Sequence, residues 1–313
     1  MKVFGICSGR KGGNTEILMA QAFKGVLSVD PNAEVEFVNL QEAKIDPCVG
    51  CEACVKAHIA GKTDFRCSQG ENHDNFQDIE LKMRAADAII VSAPCYNLLP
   101  PGILITWLNK LHSGGDYRKI TLSPDGWKIG AAFSLGGTDW TDYMPNVVRM
   151  VVEELIGGYR GLVDYEQFDF YPATRMVLVD DALMDRMLLM GQRVANAVIN
   201  RKPGDKEAEY HGQPGFCPYC YSNLLRVNPD GRVFCPQCNI EATPEVVDGR
   251  LKITFTQENL DKSRWSPYGQ NLHNTNIQKG HKKAAEGAEK IKADFPAYND
   301  FLKDHRMILP ERH

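Results

Sequence analysis

Residues 2–15 read Lys2-Val3-Phe4-Gly5-Ile6-Cys7-Ser8-Gly9-Arg10-Lys11-Gly12-Gly13-Asn14-Thr15, and this stretch decides the fold. A short apolar run ends in a glycine-rich turn, and apolar residues then recur at helical spacing from residue 14 to about residue 28. The stretch therefore predicts a strand, a loop and a helix in that order.

The predicted loop has the chemistry of an anion site. The hydroxyl groups of Ser8 and Thr15, the N–H groups that glycines leave uncovered and the positive end of the helix dipole all favour a bound phosphate. The loop lacks both the G-x-x-x-x-G-K-[ST] order of a nucleoside triphosphatase and the G-x-G-x-x-G order of a dinucleotide site. An ordinary glycine-rich helix start without a ligand is the alternative.

Further strand patterns alternate with helix patterns up to residue 200. Strands are predicted at residues 34–40, 88–94, 128–134 and 162–170, and helices around residues 81–83 and at 103–111, 144–156 and 181–200. This alternation predicts a parallel sheet of five strands covered by helices on both faces, which is the doubly wound α/β class. In this class ligands bind at the carboxyl ends of the strands.

Length and composition limit the remaining possibilities. A chain of 313 residues exceeds one domain of roughly 200 residues and predicts an appendage. The net charge of −4 argues against a nucleic-acid or anionic membrane partner. No apolar run approaches the roughly 18 residues of a membrane span, and no export signal is visible, so we expect a cytoplasmic protein.

Eight of the ten cysteines fall into two groups of four, and only Cys7 and Cys95 stand alone. In a reducing compartment such closely spaced thiols are better interpreted as metal ligands than as disulfides. The first quartet is Cys48, Cys51, Cys54 and Cys67, and the second is Cys217, Cys220, Cys235 and Cys238.

The first quartet predicts an iron–sulfur site. Cys48, Cys51 and Cys54 place three thiolates within seven residues, which is typical of one side of a [4Fe–4S] cluster. Cys67 is the expected fourth ligand, and His58 or His73 could replace it. Zinc, or no metal at all, is the alternative, although structural zinc sites usually pair their ligands two and two.

The second quartet consists of two near-identical Cys-Pro-x-Cys knuckles, with a Pro229-Asp230-Gly231 turn between them. Two such knuckles on hairpins predict a zinc ribbon, and mononuclear iron of the rubredoxin kind is the alternative. Rubredoxin knuckles end in glycine, whereas this chain has Tyr221 and Asn239 there. The charges of the ribbon are balanced, so we do not expect it to bind nucleic acid.

Three motifs occur in a fixed order: the loop of residues 8–15, the run Cys48-x-x-Cys51-x-x-Cys54 and Ser92-Ala93-Pro94-Cys95-Tyr96-Asn97. Together they resemble the NAD(P)H-dependent FMN reductase family of flavodoxin-like proteins, and most closely its iron–sulfur flavoprotein branch. In that branch the fourth cysteine follows after a short gap, whereas twelve residues separate Cys54 from Cys67. A longer loop costs only about 0.6 kcal/mol per doubling of its length, so Cys67 stays the candidate.

The resemblance implies that the loop after the first strand holds the phosphate of FMN, and that the loops after the third and fourth strands line its ring. The residues that it assigns to FMN are Ser8, Arg10, Lys11, Gly13, Asn14, Thr15, Pro94, Tyr96, Asn97, Ser134, Gly136, Gly137 and Thr138. The expected activity is transfer of electrons from NAD(P)H through FMN and a [4Fe–4S] cluster to an acceptor. An electron carrier without its own small substrate and a zinc-ribbon redox regulator are the alternatives, and a homo-oligomer is expected.

The predicted organisation has four parts. Residues 1–200 form a flavodoxin-like FMN domain with a cysteine-rich loop at 46–68, residues 201–215 a linker, 216–256 a zinc-ribbon-like module and 257–313 a tail with a helix near 280–294. Trp107, Trp140 and Tyr143 could cover the flavin or fill the core, and the core is the default expectation because apolar residues at helical spacing usually fill it.

Overall fold

The structure is a computed structural model that describes residues 1–62, 67, 74–111, 121, 123 and 125–307. The side chains of residues 58 and 59 are not among the described parts. The side chain of the alternative cluster ligand His58, the whole of His73, and residues 63–66 between Cys54 and Cys67 therefore lie outside the described parts.

Five parallel strands form the main sheet in the order β2-β1-β3-β4-β5. The strands are β1 Lys2–Cys7, β2 Glu34–Asn39, β3 Ala88–Pro94, β4 Ile129–Leu135 and β5 Leu162–Phe168. The chain moves from β1 outward to β2 and then back past β1 to β3, so the two connections leave β1 in opposite directions. This confirms the predicted doubly wound, flavodoxin-like class and places a crevice at the carboxyl ends of β1 and β3.

Helices cover both faces of the sheet. They are α1 Asn14–Val29, α2 Ala53–Ile59, α3 Phe76–Ala85, α4 Gly102–Leu108, α5 Met144–Ile156 and α6 Asp181–Asn200. One core lies between the sheet and helices α1 and α6, and the other between the sheet and helices α3, α4 and α5. Successive strand residues such as Val3 and Phe4 enter opposite cores, because side chains alternate across a strand.

A second sheet follows, with four antiparallel strands in chain order. Its strands are β6 Arg226–Val227, β7 Val233–Cys235, β8 Ile240–Val247 and β9 Arg250–Thr254. Asp248 and Gly249 have positive φ angles of 52° and 73°, as the two-residue turn between β8 and β9 requires. The four knuckle cysteines belong to the same hydrophobic core as the buried side chains of α5, so this module packs on the main domain.

Residues 201–215 contain no helix or strand and run along the edge strand β5. The N–H groups of Ala208, His211 and Gln213 donate to carbonyl groups of residues 160, 163 and 165. The segment predicted as a linker therefore provides hydrogen-bond donors for part of the open edge of the parallel sheet.

Three helices form the tail: α7 Gln257–Asp261, α8 Pro267–Glu286 and α9 Ala288–His305. The predicted helix at 280–294 is wrong in its bounds, since helix α8 begins at Pro267 and the break falls at Gly287. The missed start signal is local: the Ser266 hydroxyl accepts from the N–H of Gly269, and proline occupies the first helical position. Among the described helices none is long and apolar enough to cross a membrane.

Candidate functional site

The loop between β1 and α1 leaves the start of the helix open. Gly13 is the N-cap, and no side chain caps α1 within the described residues, so its first N–H groups stay available to an anion. Ser8 is fully buried, and its hydroxyl donates to the carbonyl of Ser92 at 3.2 Å. A Cβ atom on Gly9 would lie 2.2 Å from Oγ1 of Thr15, so the loop closes tightly against the helix.

Three cationic side chains surround this loop. Arg10 hydrogen bonds to Thr174, and Lys11 forms an ion pair with Glu42, which raises the pKa of Lys11. The third cation, Arg175, reaches back from the connection after β5, and its Nε donates to the carbonyl of Gly12 at 3.3 Å. Sequence reasoning missed Arg175, although its position after a strand at the same sheet edge was a usable signal.

Asn14 joins the same two segments. Its Nδ2 donates to the carbonyl of Ala173 at 2.9 Å, while its Oδ1 is buried with no hydrogen-bond partner in the described structure. The N–H of Gly12 donates to the carboxylate of Glu16 at 2.5 Å. The loop therefore offers cations, free helix N–H groups and one buried acceptor that needs a donor.

The loop after β3 is a tight turn. The N–H of Tyr96 donates to the carbonyl of Leu99 at 2.8 Å, and the central residues Asn97 and Leu98 have φ angles of 54° and 71°. Asparagine tolerates this conformation, but leucine there costs about 1–2 kcal/mol. Backbone strain of this kind is concentrated at binding sites, where the surrounding structure maintains it.

The loops after β4 and β5 are tied to each other. The N–H of Gly136 donates to the carbonyl of Phe168 at 2.7 Å, and Gly136 in turn accepts from the N–H of Tyr171 at 2.9 Å. The hydroxyl of Thr141 donates to Asp169 at 2.9 Å. The segment that holds Gly136, Gly137 and Thr138 is thus fixed by β5.

Ser134 lies apart from the other residues that the resemblance assigns to FMN. It is fully buried in β4, and its hydroxyl contacts Tyr165 and Gln167 of β5. Its side chain therefore lies within the sheet and away from the loop surface.

Large apolar side chains are exposed around these loops, and we call them the aromatic rim. They are Tyr96, Leu99, Trp140, Tyr143 and Phe170. The thiol of Cys95 donates to the carbonyl of Trp140 at 3.2 Å and so joins the loops after β3 and β4. Trp107 is buried as expected, but Trp140 is 72% exposed, so the expectation that Trp140 and Tyr143 fill the core is wrong.

The first cysteine quartet follows β2 at the same sheet edge. Cys48 and Cys51 are exposed, Cys54 lies in helix α2, and Cys54 and Cys67 are half-buried. Burial raises the pKa of the Cys54 thiol. Within the described residues these four sulfurs do not form the compact group that a single ion needs. A four-iron cluster is larger than one ion and requires more widely spaced ligands.

The second quartet is compact and fully buried. The sulfurs of Cys217, Cys220, Cys235 and Cys238 all lie within 4.8 Å of one another, with 3.8 Å between Cys217 and Cys238 and 3.4 Å between Cys220 and Cys235. A tetrahedral ion with metal–sulfur bonds of about 2.3 Å has sulfur–sulfur edges of about 3.8 Å. The geometry therefore fits one metal ion.

Both knuckles use the left-handed conformation despite their lack of glycine. Tyr221 and Asn239 have φ angles of 57° and 55°, and their N–H groups donate to the carbonyls of Cys217 and Cys235. Tyr221 is supported by a stacked contact with Tyr210, with ring centroids 3.6 Å apart.

The fold and the loop geometry together define a flavodoxin-like protein with an anion loop beside an aromatic rim. Residues 1–140 match the model of the family described as NADPH-dependent FMN reductase. This match confirms the predicted resemblance for the N-terminal domain, and together with the relatives below it identifies the chain as an FMN oxidoreductase. The family implies NAD(P)H as the electron donor.

Two kinds of relative are found. A flavone synthase, cfoJ of Aspergillus candidus, is 24% identical over 318 residues, which cover 97% of this chain and 95% of that protein. Iron–sulfur flavoproteins of Methanocaldococcus jannaschii and Methanosarcina thermophila are 34% identical over 97 residues and 32% identical over 143 residues. These matches cover 31% and 44% of this chain, and 44% and 64% of the two relatives.

A solved structure described as a flavone reductase superimposes with a TM-score of 0.75 at 24% identity. The superposition covers 99% of this chain and 100% of that chain. The shared fold therefore extends beyond the family match at residues 1–140 and includes the second sheet and the helical tail.

Proposed function

We propose that the loops at the carboxyl edge of the parallel sheet hold FMN, with its phosphate at residues 8–15 and its ring near the loops after β3 and β4. Neighbouring strands are about 5 Å apart, so the ends of β3 and β4 lie roughly 5 and 10 Å from the end of β1. The open start of α1 suits the phosphate, and the buried Oδ1 of Asn14 suits a ribityl hydroxyl. The residues present thus fit the cofactor.

In this proposal Arg10, Lys11 and Arg175 attract the phosphate, and Gly13 and Thr15 shape its loop. The backbone of Gly136, Gly137 and Thr138, with Pro94, Tyr96 and Asn97, borders the ring. Ser134 supports the sheet beneath this loop through Tyr165 and Gln167. When bound, FMN supplies hydride acceptance from NAD(P)H and delivery of the reducing equivalents to a second substrate.

The second substrate is proposed to be a flat, unsaturated aromatic ketone of the flavone kind. The observation that carries this proposal is the aromatic rim, because exposed aromatic faces next to a flavin loop can stack on such a molecule and exclude water. The flavone-related relatives that match almost the full length of the chain support the same substrate class.

Arg175 provides the test of the cofactor site. Arg175→Ala is expected to weaken FMN binding about tenfold, because one charge-assisted contact is lost and every 1.4 kcal/mol corresponds to a factor of ten. Binding of riboflavin, which lacks the phosphate, should not change, and Arg250→Ala on the exposed strand β9 is the matched control. Failure of the folded wild-type chain to bind FMN would refute the proposal.

Trp140 provides the test of the substrate class. Trp140→Ala should raise the KM for a flavone about fivefold while leaving NADH-dependent reduction of ferricyanide unchanged, because stacking on an aromatic face contributes roughly 1 kcal/mol. Tyr268→Ala, an exposed tyrosine of the tail, is the control. Equal effects on both acceptors would argue against a substrate site at the rim.

A second candidate function is one-electron transfer through an iron–sulfur cluster on Cys48, Cys51, Cys54 and Cys67. The cysteine spacing and the iron–sulfur flavoprotein relatives favour it. In this case the wild-type chain, purified without oxygen, should contain four irons per chain. Cys51→Ser, purified in the same way, should contain none. A wild-type preparation without iron and acid-labile sulfide would eliminate this candidate.

We also propose that the chain forms a homo-oligomer through the helical tail. Helix α9 has no buried residue, and Ile291, Phe295, Tyr298 and Leu302 are each more than half exposed. Their spacing of four, three and four residues places them on one face of the helix.

A further inference from the structure

Arg149 is a buried cation near the second cysteine quartet. It lies on helix α5 and is only 1% exposed. Its hydrogen bonds go to neutral acceptors: the carbonyl of Tyr221 at 2.5 Å, the carbonyl of Gln213 at 3.0 Å and the hydroxyl of Tyr210 at 3.4 Å. Among the described residues no carboxylate is ion-paired with its guanidinium group, which also stands over the ring of Tyr165. A buried charge without a counter-charge is strongly unfavourable.

The contact of Arg149 with the first knuckle is adjacent in sequence to the cysteine quartet. Tyr221, which accepts from Arg149, directly follows the ligand Cys220. Four thiols are neutral, but binding of Zn²⁺ releases four protons, and the resulting four-thiolate centre carries a charge of 2−. A metal centre at this position would therefore balance the guanidinium group through the knuckle backbone.

Both knuckles also reach the first turn of α5. The hydroxyl of Ser222 donates to Asn146 Oδ1 at 2.6 Å, and Asn146 Nδ2 donates to Asn223 at 2.9 Å. From the second knuckle, Nε2 of Gln237 donates to the carbonyl of Asn146. Because α5 begins at Met144, directly after Tyr143 of the aromatic rim, this turn connects the cysteine quartet to the rim.

We infer that Cys217, Cys220, Cys235 and Cys238 bind one Zn²⁺, and that this zinc centre together with Arg149 clamps the C-terminal module onto α5. Each member of the quartet is at most 1% exposed, and the quartet packs in the chain's own core. A closed four-thiolate site of this kind is structural. Zinc has no redox change, so the 2− charge that balances Arg149 stays constant, whereas oxidation of iron would reduce it to 1−.

Metal analysis tests the site without any role for FMN. The wild-type chain, produced in medium with both zinc and iron and purified without chelators, should contain one zinc per chain. Cys51→Ser should keep this zinc and Cys235→Ser should lose it. Protein loaded with Co²⁺ should show the visible bands of a tetrahedral thiolate site. A folded, zinc-free wild-type chain, or iron at this site in Cys51→Ser, would overturn the inference.

The clamp is tested through zinc release to a chromophoric chelator. Arg149→Met keeps much of the side-chain volume and removes the charge, so release should become at least tenfold faster, and Arg149→Lys should restore most of the difference. Arg226→Met, which removes a ribbon arginine that stands over Phe234, is the control and should release zinc like the wild type. Equal release rates for Arg149→Met and Arg226→Met would refute the clamp, and the metal content of the wild type remains decisive if a variant fails to fold.

Discussion

Gly136 has no room for a side chain, and this sets a constraint at the scale of a single residue. A Cβ atom there would lie 2.2 Å from Cγ2 of Thr141 and 2.6 Å from the carbonyl oxygen of Thr138. At the neighbouring Gly137 the nearest atom, in Pro172, would be at an ordinary 3.5 Å. Of these two adjacent glycines, only Gly137 therefore has room for a Cβ atom.

We predict that Gly136→Ala destabilises the chain by about 1–3 kcal/mol, because the backbone must shift to relieve the overlap. FMN affinity should fall with it, since the shift moves the loop that borders the ring. Gly137→Ala is the matched control and should change neither quantity measurably. Urea unfolding and quenching of FMN fluorescence measure the two effects, and equal behaviour of both variants would contradict the prediction.

The knuckle residues show how a residue-level rule can be overridden. The sequence has Tyr221 and Asn239 where glycine would provide conformational freedom, yet both adopt positive φ. At Tyr221 the stacked Tyr210 ring and the hydrogen bond from Arg149 support this conformation. These contacts come from distant parts of the chain, so local propensity could not predict them.

At the scale of elements, a buried ion pair closes the base of the cysteine-rich loop. Asp74 pairs with Lys110 at the end of helix α4, and Asp74 also accepts from the N–H groups of Asp46 and Phe76. Burial alone would raise the pKa of Asp74, but the ammonium group and the N–H donors outweigh it, so the pKa lies below its usual value. The charged form is therefore the one that stabilises the fold.

Because its folded pKa is lowered, Asp74 contributes stability above its unfolded pKa of about 3.9 and loses it as the pH falls through the folded value. Asp74→Asn should lower the free energy of unfolding by about 3 kcal/mol at pH 7, since Lys110 then loses its buried ion pair with the Asp74 carboxylate. The difference from the wild type should narrow towards pH 3 in urea titrations. Asp300→Asn in the exposed pair with Lys303 is the control, and a difference independent of pH would contradict this account.

At the scale of the whole molecule, the chain exposes more surface than a compact monomer. A monomer of 35.0 kDa is expected to expose about 13,000 Å², whereas this chain exposes 17,731 Å². The excess is larger than the roughly 1,000–2,500 Å² that each partner of a typical obligate homodimer buries. The uncovered apolar face of α9 is one source of this excess.

We predict that Phe295→Glu converts an oligomer into a monomer, because a charge in the apolar face of α9 would have to be desolvated on association. Light scattering coupled to size-exclusion chromatography measures the mass. Ala293→Glu places the same charge on the opposite, polar face and should leave the assembly unchanged. A wild-type chain that is monomeric at micromolar concentration would refute the tail interface.

The sequence by itself determined the order of strands and helices in the main domain except for helix α2, and it also determined the glycine-rich loop after β1 and the spacing of the two cysteine quartets. Hydrophobic periodicity, turn residues and cysteine spacing depend on near neighbours along the chain, so a reading of the sequence recovers them. The bounds of α5 and α6 agree with the predicted 144–156 and 181–200 for this reason. The start of the tail helix α8 was missed although its signal, Ser266 followed by Pro267, is local.

Only the tertiary structure decided which distant side chains meet. Arg175 reaches the anion loop across more than 160 residues, Trp140 is exposed at the rim, and Arg149 lies against the first knuckle. These contacts follow from the strand order and from the packing of the second sheet on α5. Such packing depends on the free energy of the whole chain, and no local pattern of residues encodes it.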